Sequence, residues 1–482
     1  MGYSTQNGDR AKSPLPIPLQ AKTGHLPWAD DRPSTASDQF VDLQYATPLA
    51  PAGATFRWVI CGLLFLATSI NYMDRQVVSI LAPVLQSHFR WSEQDYAHVV
   101  FAFQLAYMFG LLSVGWFIDR CGLKIGYAVA ITVWSVAACA TAFATSFFGF
   151  IAVRFLLGLG EAGNFPAATK TIGEWFPRRE RSLATGLFNT GTSSGAIIAP
   201  LLVPWIANTW SWQTAFVVLG ASGFAWIVFW LLLYQRPEKS RYLSPAAVAF
   251  IRTDDAPEIA GSAGEEEAGR VGWVQLFELR QTWGILVSAA LVVPVMWFQI
   301  FWLPKFLGAQ FKVSISKAGW PLATAFSMQF MGSIFGGLLG TWLINQGKSV
   351  HFARKFSLGL CALCVTPIAC VGWIHSMWPA IFVVGFAMAA MQGWSANGYC
   401  VTTDLYPKRA IASMVGLGTA AGSVGSMVFA EFAGWYLQHT HGDYILLFVL
   451  AGCGFPLAFI ALHLFIPVWD PVHLENPTAL ST

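Results

Sequence analysis

The chain opens on a polar stretch and then alternates between long apolar runs and short polar breaks. Twelve runs of about 20 residues stand out, each long enough to cross a bilayer as a helix. They cover approximately 57–86, 94–117, 124–144, 147–170, 182–207, 214–235, 281–306, 319–345, 354–374, 378–404, 411–438 and 444–467. A polar gap at 236–280 separates the first six from the last six. The pattern predicts an all-α membrane protein of twelve transmembrane helices, organised as an N-terminal six-helix bundle over 56–235 and a C-terminal one over 281–468. Residues 1–55 are rich in Pro, Ser, Asp and Gly and read as a disordered tail, and 469–482 as a cytoplasmic tail. No long apolar run lies in 1–55, so no cleavable signal peptide is expected.

Composition agrees with a lipid environment. Apolar residues make up 55% of the 482 positions and charged ones 11%, against roughly 25% charged in soluble domains. A soluble chain of this size has too much surface to hide that much apolar material. The 22 Trp and 12 Tyr suit a protein that meets membrane interfaces. The net charge of +3 gives no ground for nucleic-acid binding. Cys361 and Cys364 form a CxxC, but no second pair or His cluster completes a metal site, and the eight cysteines read as small hydrophobes. No cofactor is implied.

Lys and Arg fix the expected orientation. With the N-terminus inside, sixteen of them, from Arg120 to Arg409, fall in inner loops and the linker. Four (Arg90, Lys305, Lys312 and Lys317) fall outside. Both termini and the 236–280 linker are therefore expected on the cytoplasmic side of a bacterial inner membrane. The linker holds Glu265, Glu266 and Glu267 and reads as a loose connector, with a short amphipathic helix near 244–253.

The two halves carry a faint repeat. Gly115-Trp-Phe-Ile-Asp119-Arg120-Cys-Gly122-Leu-Lys124 follows the second run, and Gly337-Leu-Leu-Gly-Thr341-Trp342 stands in the matching place of the second half, without the Asp and Arg. The string Gly115 to Lys124 resembles the loop signature of the major facilitator superfamily, and the resemblance spans about 57–467. Further stretches resemble its anion:cation symporter branch: Asn71-Tyr-Met-Asp-Arg75, Arg154 through Glu161-Ala-Gly-Asn-Phe-Pro166, Glu174-Trp-Phe-Pro177 and Gln392-Gly-Trp-Ser-Ala-Asn397. The segment from Asp404-Leu-Tyr-Pro407 is most similar to bacterial hexuronate transporters. The resemblance implies a proton-coupled uptake carrier with a central cavity between two bundles, working as a monomer on a small organic anion and protons.

Charge inside lipid is expensive and calls for a reason. Asp74 and Arg75 on the first helix, and Arg154 and Glu161 on the fourth, are such charges. Asn71, Tyr72 and Arg75 can border one cavity-facing strip. The planar guanidinium of Arg75 matches a carboxylate in two parallel hydrogen bonds, and the position matches the family's substrate arginine. The alternative is a structural ion pair of Arg75 with Asp74 or Glu161. Tyr107 matches a position that family members use to hydrogen-bond substrate; otherwise it is a packing tyrosine. Arg154 and Glu161 lie seven residues apart, roughly 10 Å along the axis, too far to pair directly. Glu161 can instead face the first helix. Burial favours a neutral carboxylic acid and a nearby guanidinium favours the anion. That competition lets a proton come and go, so Asp74, Glu161 and Arg154 are the expected proton-coupling groups; the alternative is a fixed ionic network. Gly158, Gly160 and Gly163 around Glu161 read as close-packing positions, and Pro166 as a kink.

The second half offers neutral polar groups. Gln299 and Trp302 lie on the seventh helix, and Gln392, Trp394, Ser395 and Asn397 on the tenth. Asn189, Thr192 and Ser193 on the fifth add polarity opposite. Hydroxyl-rich ligands suit such partners, though the same residue types also bond helix to helix. The resemblance implies that Gly115, Asp119 and Arg120 gate the inner face. Glu431 reads either as a second proton site or as a carboxylate reaching water at the outer rim. No Walker loop, HExxH motif or nucleophile elbow appears, so the expectation is a secondary transporter and not an enzyme. A hexuronate such as glucuronate or galacturonate is the expected cargo. An aldonate, glucarate or an aromatic carboxylate is the alternative, and a membrane receptor is a more distant one.

Overall fold

A computed structural model describes residues 54–252 and 273–467, together with Trp469 and Val472. The tails expected at 1–55 and 469–482 fall almost entirely outside the described residues, as does the linker's Glu265–Glu267 run.

Among the described residues twelve helices are long and apolar enough to cross a membrane. In the first half they are α1 (Phe56–Phe89), α2 (Glu93–Cys121), α3 (Leu123–Thr141), α4 (Phe147–Trp175), α5 (Arg179–Thr209) and α6 (Trp212–Leu233). The second half has α7 (Arg280–Phe311), α8 (Ile315–Asn345), α9 (Val350–Trp373), α10 (Met377–Leu405), α11 (Ser413–His439) and α12 (Ile445–Phe465). Short polar breaks stop and start them. Arg90 ends α1 in the left-handed region at φ 56°, and Ser92 and Asp95 form a reciprocal capping box that opens α2. Ser146, Ser211 and Ser349 cap α4, α6 and α9. Large apolar side chains such as Phe143 and Phe148 face outward, where lipid solvates them.

Helix pairing exposes the repeat that the sequence only hints at. In the first half α1 packs on α5, α2 on α4 and α3 on α6; in the second α7 packs on α11, α8 on α10 and α9 on α12. Across the halves α2 meets α11 and α5 meets α8, the two contacts a pseudo-two-fold axis between the bundles exchanges.

Two departures from smooth helices matter. The fourth span is broken: it runs as Phe147–Glu161 and resumes at Asn164–Trp175, with a turn at Ala162 and Gly163. Pro166 has no N–H to offer the Ala162 carbonyl, four residues back, so the ladder fails there and leaves Glu161 as the last residue of the first segment. The glycines around it pack closely, as expected. A Cβ at Gly158 would run into the Phe103 carbonyl, and one at Gly160 into the Trp134 backbone. The second departure is α9, which tightens into a 3-10 helix at Thr366–Trp373, where Pro367 enters.

The linker helix expected near 244–253 is present at Pro245–Arg252. Its Ala247, Phe250 and Ile251 are buried with Ala54 and Leu243. The Phe250 ring receives the guanidinium groups of Arg57 and Arg179, 5.1 and 4.7 Å from its centroid.

Candidate functional site: a polar cavity between the two halves

A cavity of about 810 Å³ lies between the bundles. It is lined from α1, α2, α4 and α5 on one side and α7, α8, α10 and α11 on the other, the same four helices of each repeat. Arg75 is the one charged side chain among its described lining residues. The rest are aromatic, aliphatic or neutral polar.

Arg75 is almost fully buried and heavily engaged. Its Nε donates to Glu161 Oε2 at 3.0 Å, and Nη2 stands at the same distance. Nη2 also donates to Asn71 Oδ1 at 3.3 Å, while Asn71 Nδ2 donates to the Glu161 main-chain carbonyl at 3.4 Å. Four rings surround the guanidinium: Tyr72 at 4.8 Å, Tyr107 at 4.9 Å, Trp297 at 5.0 Å and Phe103 at 5.4 Å from the ring centroids. Three rings come from the first half and Trp297 from the second, so the arginine sits where the halves meet. Negative ring faces stabilise the cation without neutralising it.

The other buried charges are less satisfied. Glu161 Oε1 has no hydrogen-bond partner among the described residues. Asp74 is 3% exposed, and neither of its carboxyl oxygens has one. Arg154 is 1% exposed, with Nε and Nη1 unpartnered, and its guanidinium lies over the Phe103 ring at 4.9 Å. No ion pair joins Arg154 to Glu161, as their separation along the helix predicts. Unpaired buried charge is costly, and Asp74 and Arg154 are held here without an ion pair among the described residues.

Of the residues expected to meet substrate, Arg75, Tyr72, Tyr107, Asn189, Ser193, Gln299, Gln392 and Ser395 all line this cavity. Gln299 is 1% exposed and both of its amide atoms lack a protein partner. Two others are placed elsewhere. Trp394 does not line the cavity; it packs edge-on against Phe455 at 5.4 Å and borders a smaller adjoining cavity that shares Met296, Ser395 and Tyr399 with the central one. Asn397 is a structural tie: its Nδ2 donates to the carbonyls of Gly336 (3.0 Å) and Gly393 (2.9 Å), and its Oδ1 accepts from Arg354 Nη1 at 3.4 Å. Trp302 is likewise buried, in edge contact with Tyr96. Residues not foreseen also line the cavity: Gln76, Trp297, Gln329, Ser333 and Tyr399. Of these, Gln76 follows Arg75 directly in the chain, a signal the sequence did carry.

One end of the cavity is closed by contacts between the halves. Lys305 of α7 pairs with Glu93 of α2. Gln94 Nε2 donates to Glu431 Oε2 at 2.6 Å, and His98 Nδ1 lies 2.9 Å from Glu431 Oε1. Tyr96 Oη donates to the Phe301 carbonyl at 2.8 Å, and Asn208 bonds Ser316. Glu431 is therefore neither isolated nor simply wet; it joins α11 to α2. At the opposite end no hydrogen bond or ion pair links the halves among the described residues. There Asp119 pairs within its own half, with Lys170 at 2.5 Å, and Arg120 lies over the Trp116 ring. Gly115 faces open space. Arg354 and Asp404 form a comparable pair at 3.3 Å inside the second half. The cavity lining reaches toward the ends that carry Asp119 and Asp404 through Thr185, Tyr399 and Val415.

The model of the Major Facilitator Superfamily matches residues 64–430. The chain belongs to the major facilitator superfamily. It is a multi-pass membrane carrier of small organic solutes and not an enzyme. Among curated superfamily relatives, the hexuronate transporter of Escherichia coli (strain K12) is 30% identical over 383 residues, covering 78% of this chain and 87% of the relative. The probable galactarate/D-glucarate transporter of Bacillus subtilis (strain 168) is 29% identical over 406 residues, covering 81% and 88%. Among solved superfamily structures, the inward open conformation of a xylose transporter from E. coli superposes with a TM-score of 0.68 at 14% identity, covering 88% of this chain and 99% of that one. This last likeness concerns the fold.

Proposed function

We propose that this protein imports a sugar acid anion, a hexuronate such as glucuronate or galacturonate, together with protons, by alternating access across a bacterial inner membrane with both termini in the cytoplasm. The observation that carries the reading is the lone guanidinium of Arg75 in a cavity otherwise lined by neutral amides, hydroxyls and rings. An Arg fork suits a carboxylate, amides and hydroxyls suit a polyol, and ring faces suit the carbon skeleton. Two similar proteins named for acidic sugars support the same class.

In this reading Tyr72, Tyr107, Asn189, Ser193, Gln299, Gln392 and Ser395 hold the sugar while Arg75 holds its carboxylate. Trp394 and Asn397 act only through packing. A substrate carboxylate arriving at Arg75 competes with Glu161. Glu161, released from its partner, is then the group that exchanges a proton. Asp74, buried without a donor, is the second proton carrier, and Arg154 is the cation that can replace its proton. Gly115, Asp119 and Arg120 gate the inner face when the bundles rock. The carrier works as a monomer. An aldarate is the second reading, favoured by the galactarate/D-glucarate relative.

The test is uptake by the purified protein in proteoliposomes under an imposed pH gradient, acid on the side from which substrate enters. Glucuronate, galacturonate, galactonate, glucarate and benzoate are offered separately. Accumulation of a hexuronate above the others supports the proposal. Accumulation of none, or of all five to the same extent, contradicts it.

A further inference from the structure

A second cavity, of about 460 Å³, lies on the outside of the first bundle, where the end of α2, the start of α3 and the end of α6 converge. It is on the side that carries Asp119, far along the helices from the contacts of Glu431. Its polar lining is cationic. Lys124, Arg236 and Lys239 all border it, and none of the three side chains has a hydrogen bond or ion pair with another described residue. The acidic side chains close by are already engaged. Glu238 accepts from Arg252, whose hydrogen bonds hold its carboxyl below the usual range, and Glu174 accepts from Tyr234 Oη at 2.7 Å. None of the three cations forms an ion pair with these acids, although Arg236 lies in the field of the Glu238 carboxylate.

The backbone adds to the same sign. Gly122 starts α3 at φ 81° and supplies no side-chain cap. Leu123, Lys124 and Ile125 line the cavity and open α3, and no side chain caps their N–H groups. The site is fixed in place by Trp230, whose Nε1 donates to the Lys124 carbonyl at 3.0 Å and whose ring stacks on Tyr234 at 4.1 Å.

Toward the membrane interior the walls change character. Ile125, Val129, Val228 and Leu232 are exposed on adjoining stretches of α3 and α6. Cationic groups at a helix end with an exposed apolar surface leading into the hydrocarbon match one kind of molecule: an acidic head joined to acyl chains. We propose that this cavity binds the phosphate headgroup of an anionic phospholipid, with Lys124, Arg236 and Lys239 on the phosphate and the acyl chains laid along α3 and α6. A free phosphate ion shares the headgroup chemistry but has no use for the apolar walls.

Native mass spectrometry of the full-length protein, released from detergent after exposure to one lipid at a time, tests this. Dioleoyl phosphatidylglycerol should be retained at least ~10-fold more than dioleoyl phosphatidylcholine. The triple variant Lys124→Gln/Arg236→Gln/Lys239→Gln should lose that preference. The charge-preserving variant Lys124→Arg/Arg236→Lys/Lys239→Arg should keep it, which separates lost binding from lost folding. Equal retention of the two lipids by the unmodified protein would overturn the proposal without any variant. So would undiminished phosphatidylglycerol binding in the Gln variant. Displacement of phosphatidylglycerol by an equal concentration of inorganic phosphate would make it a small-anion site and overturn the lipid assignment.

Discussion

The Nε of Arg75 donates to the carboxylate of Glu161 at 3.0 Å, and the pair is sealed, with side chains 2% and 0% exposed. The residues are 86 positions apart on α1 and α4, yet they meet beside the cavity that both halves line. Removing either partner leaves the other as an unpaired buried charge.

Arg75→Lys should insert in the membrane and lose uptake. Lysine keeps the charge but gives up the planar fork and most of its contact with the four rings. A charged hydrogen bond is worth ~1.5–3 kcal/mol, so apparent affinity should fall about 10- to 100-fold. Substrate-induced thermal shift measures it; an unchanged shift would rule out a paired carboxylate contact.

Trp297→Ala tests the second half's share in the site. The ring lies 5.0 Å from the Arg75 guanidinium and is the one member of the cage contributed by α7. Cation–π contacts contribute roughly 0.5–2 kcal/mol, so substrate affinity should drop by about 2- to 30-fold with no loss of folded protein. Isothermal titration in detergent reads the change.

Glu431→Gln combined with His98→Ala should loosen the closed end of the cavity, since both contacts of the Glu431 carboxylate cross between α11 and α2. In a cysteine-depleted background carrying Ser333→Cys, a membrane-impermeant maleimide added outside should label the cavity several-fold faster. An unchanged labelling rate would show that the Lys305–Glu93 pair and the helix packing hold that end alone.

Orientation has its own test. Ser376 and Lys239 are exposed near opposite ends of the helices. Single Ser376→Cys and Lys239→Cys variants in a cysteine-depleted background should be labelled, respectively, from outside and only after permeabilisation. The reverse pattern would invert the topology drawn from Lys and Arg.

The twelve spans were legible because a bilayer demands long apolar windows, and composition alone provides them. Arg75, Asp74, Arg154 and Glu161 were legible because charge is rare inside such windows. Helical periodicity could not separate Gln392 and Ser395, which reach the cavity, from Trp394 and Asn397, which serve packing, because Gln392 to Asn397 run more than a full turn around α10 and the same residue types serve substrates and helix ties. Trp297 and Tyr399 were missed because aromatic residues in membrane helices read first as packing. The role of Glu431 depends on partners more than 330 positions away, which no local pattern encodes. The break in α4 had its signal in Pro166, but only the structure shows that it falls directly after Glu161.

In the proposed cycle the buried carboxylates couple substrate to protons, and exchange compared with accumulation tests that coupling. Glu161→Gln and Asp74→Asn each mimic a protonated acid. Exchange of substrate for substrate needs no net proton movement, whereas accumulation does. In proteoliposomes with a one-unit pH gradient, the unmodified protein should concentrate glucuronate up to about tenfold for one proton carried per anion. At least one of the two variants should retain counterflow and fail to accumulate. Normal accumulation by both variants would place the proton site elsewhere and contradict the account.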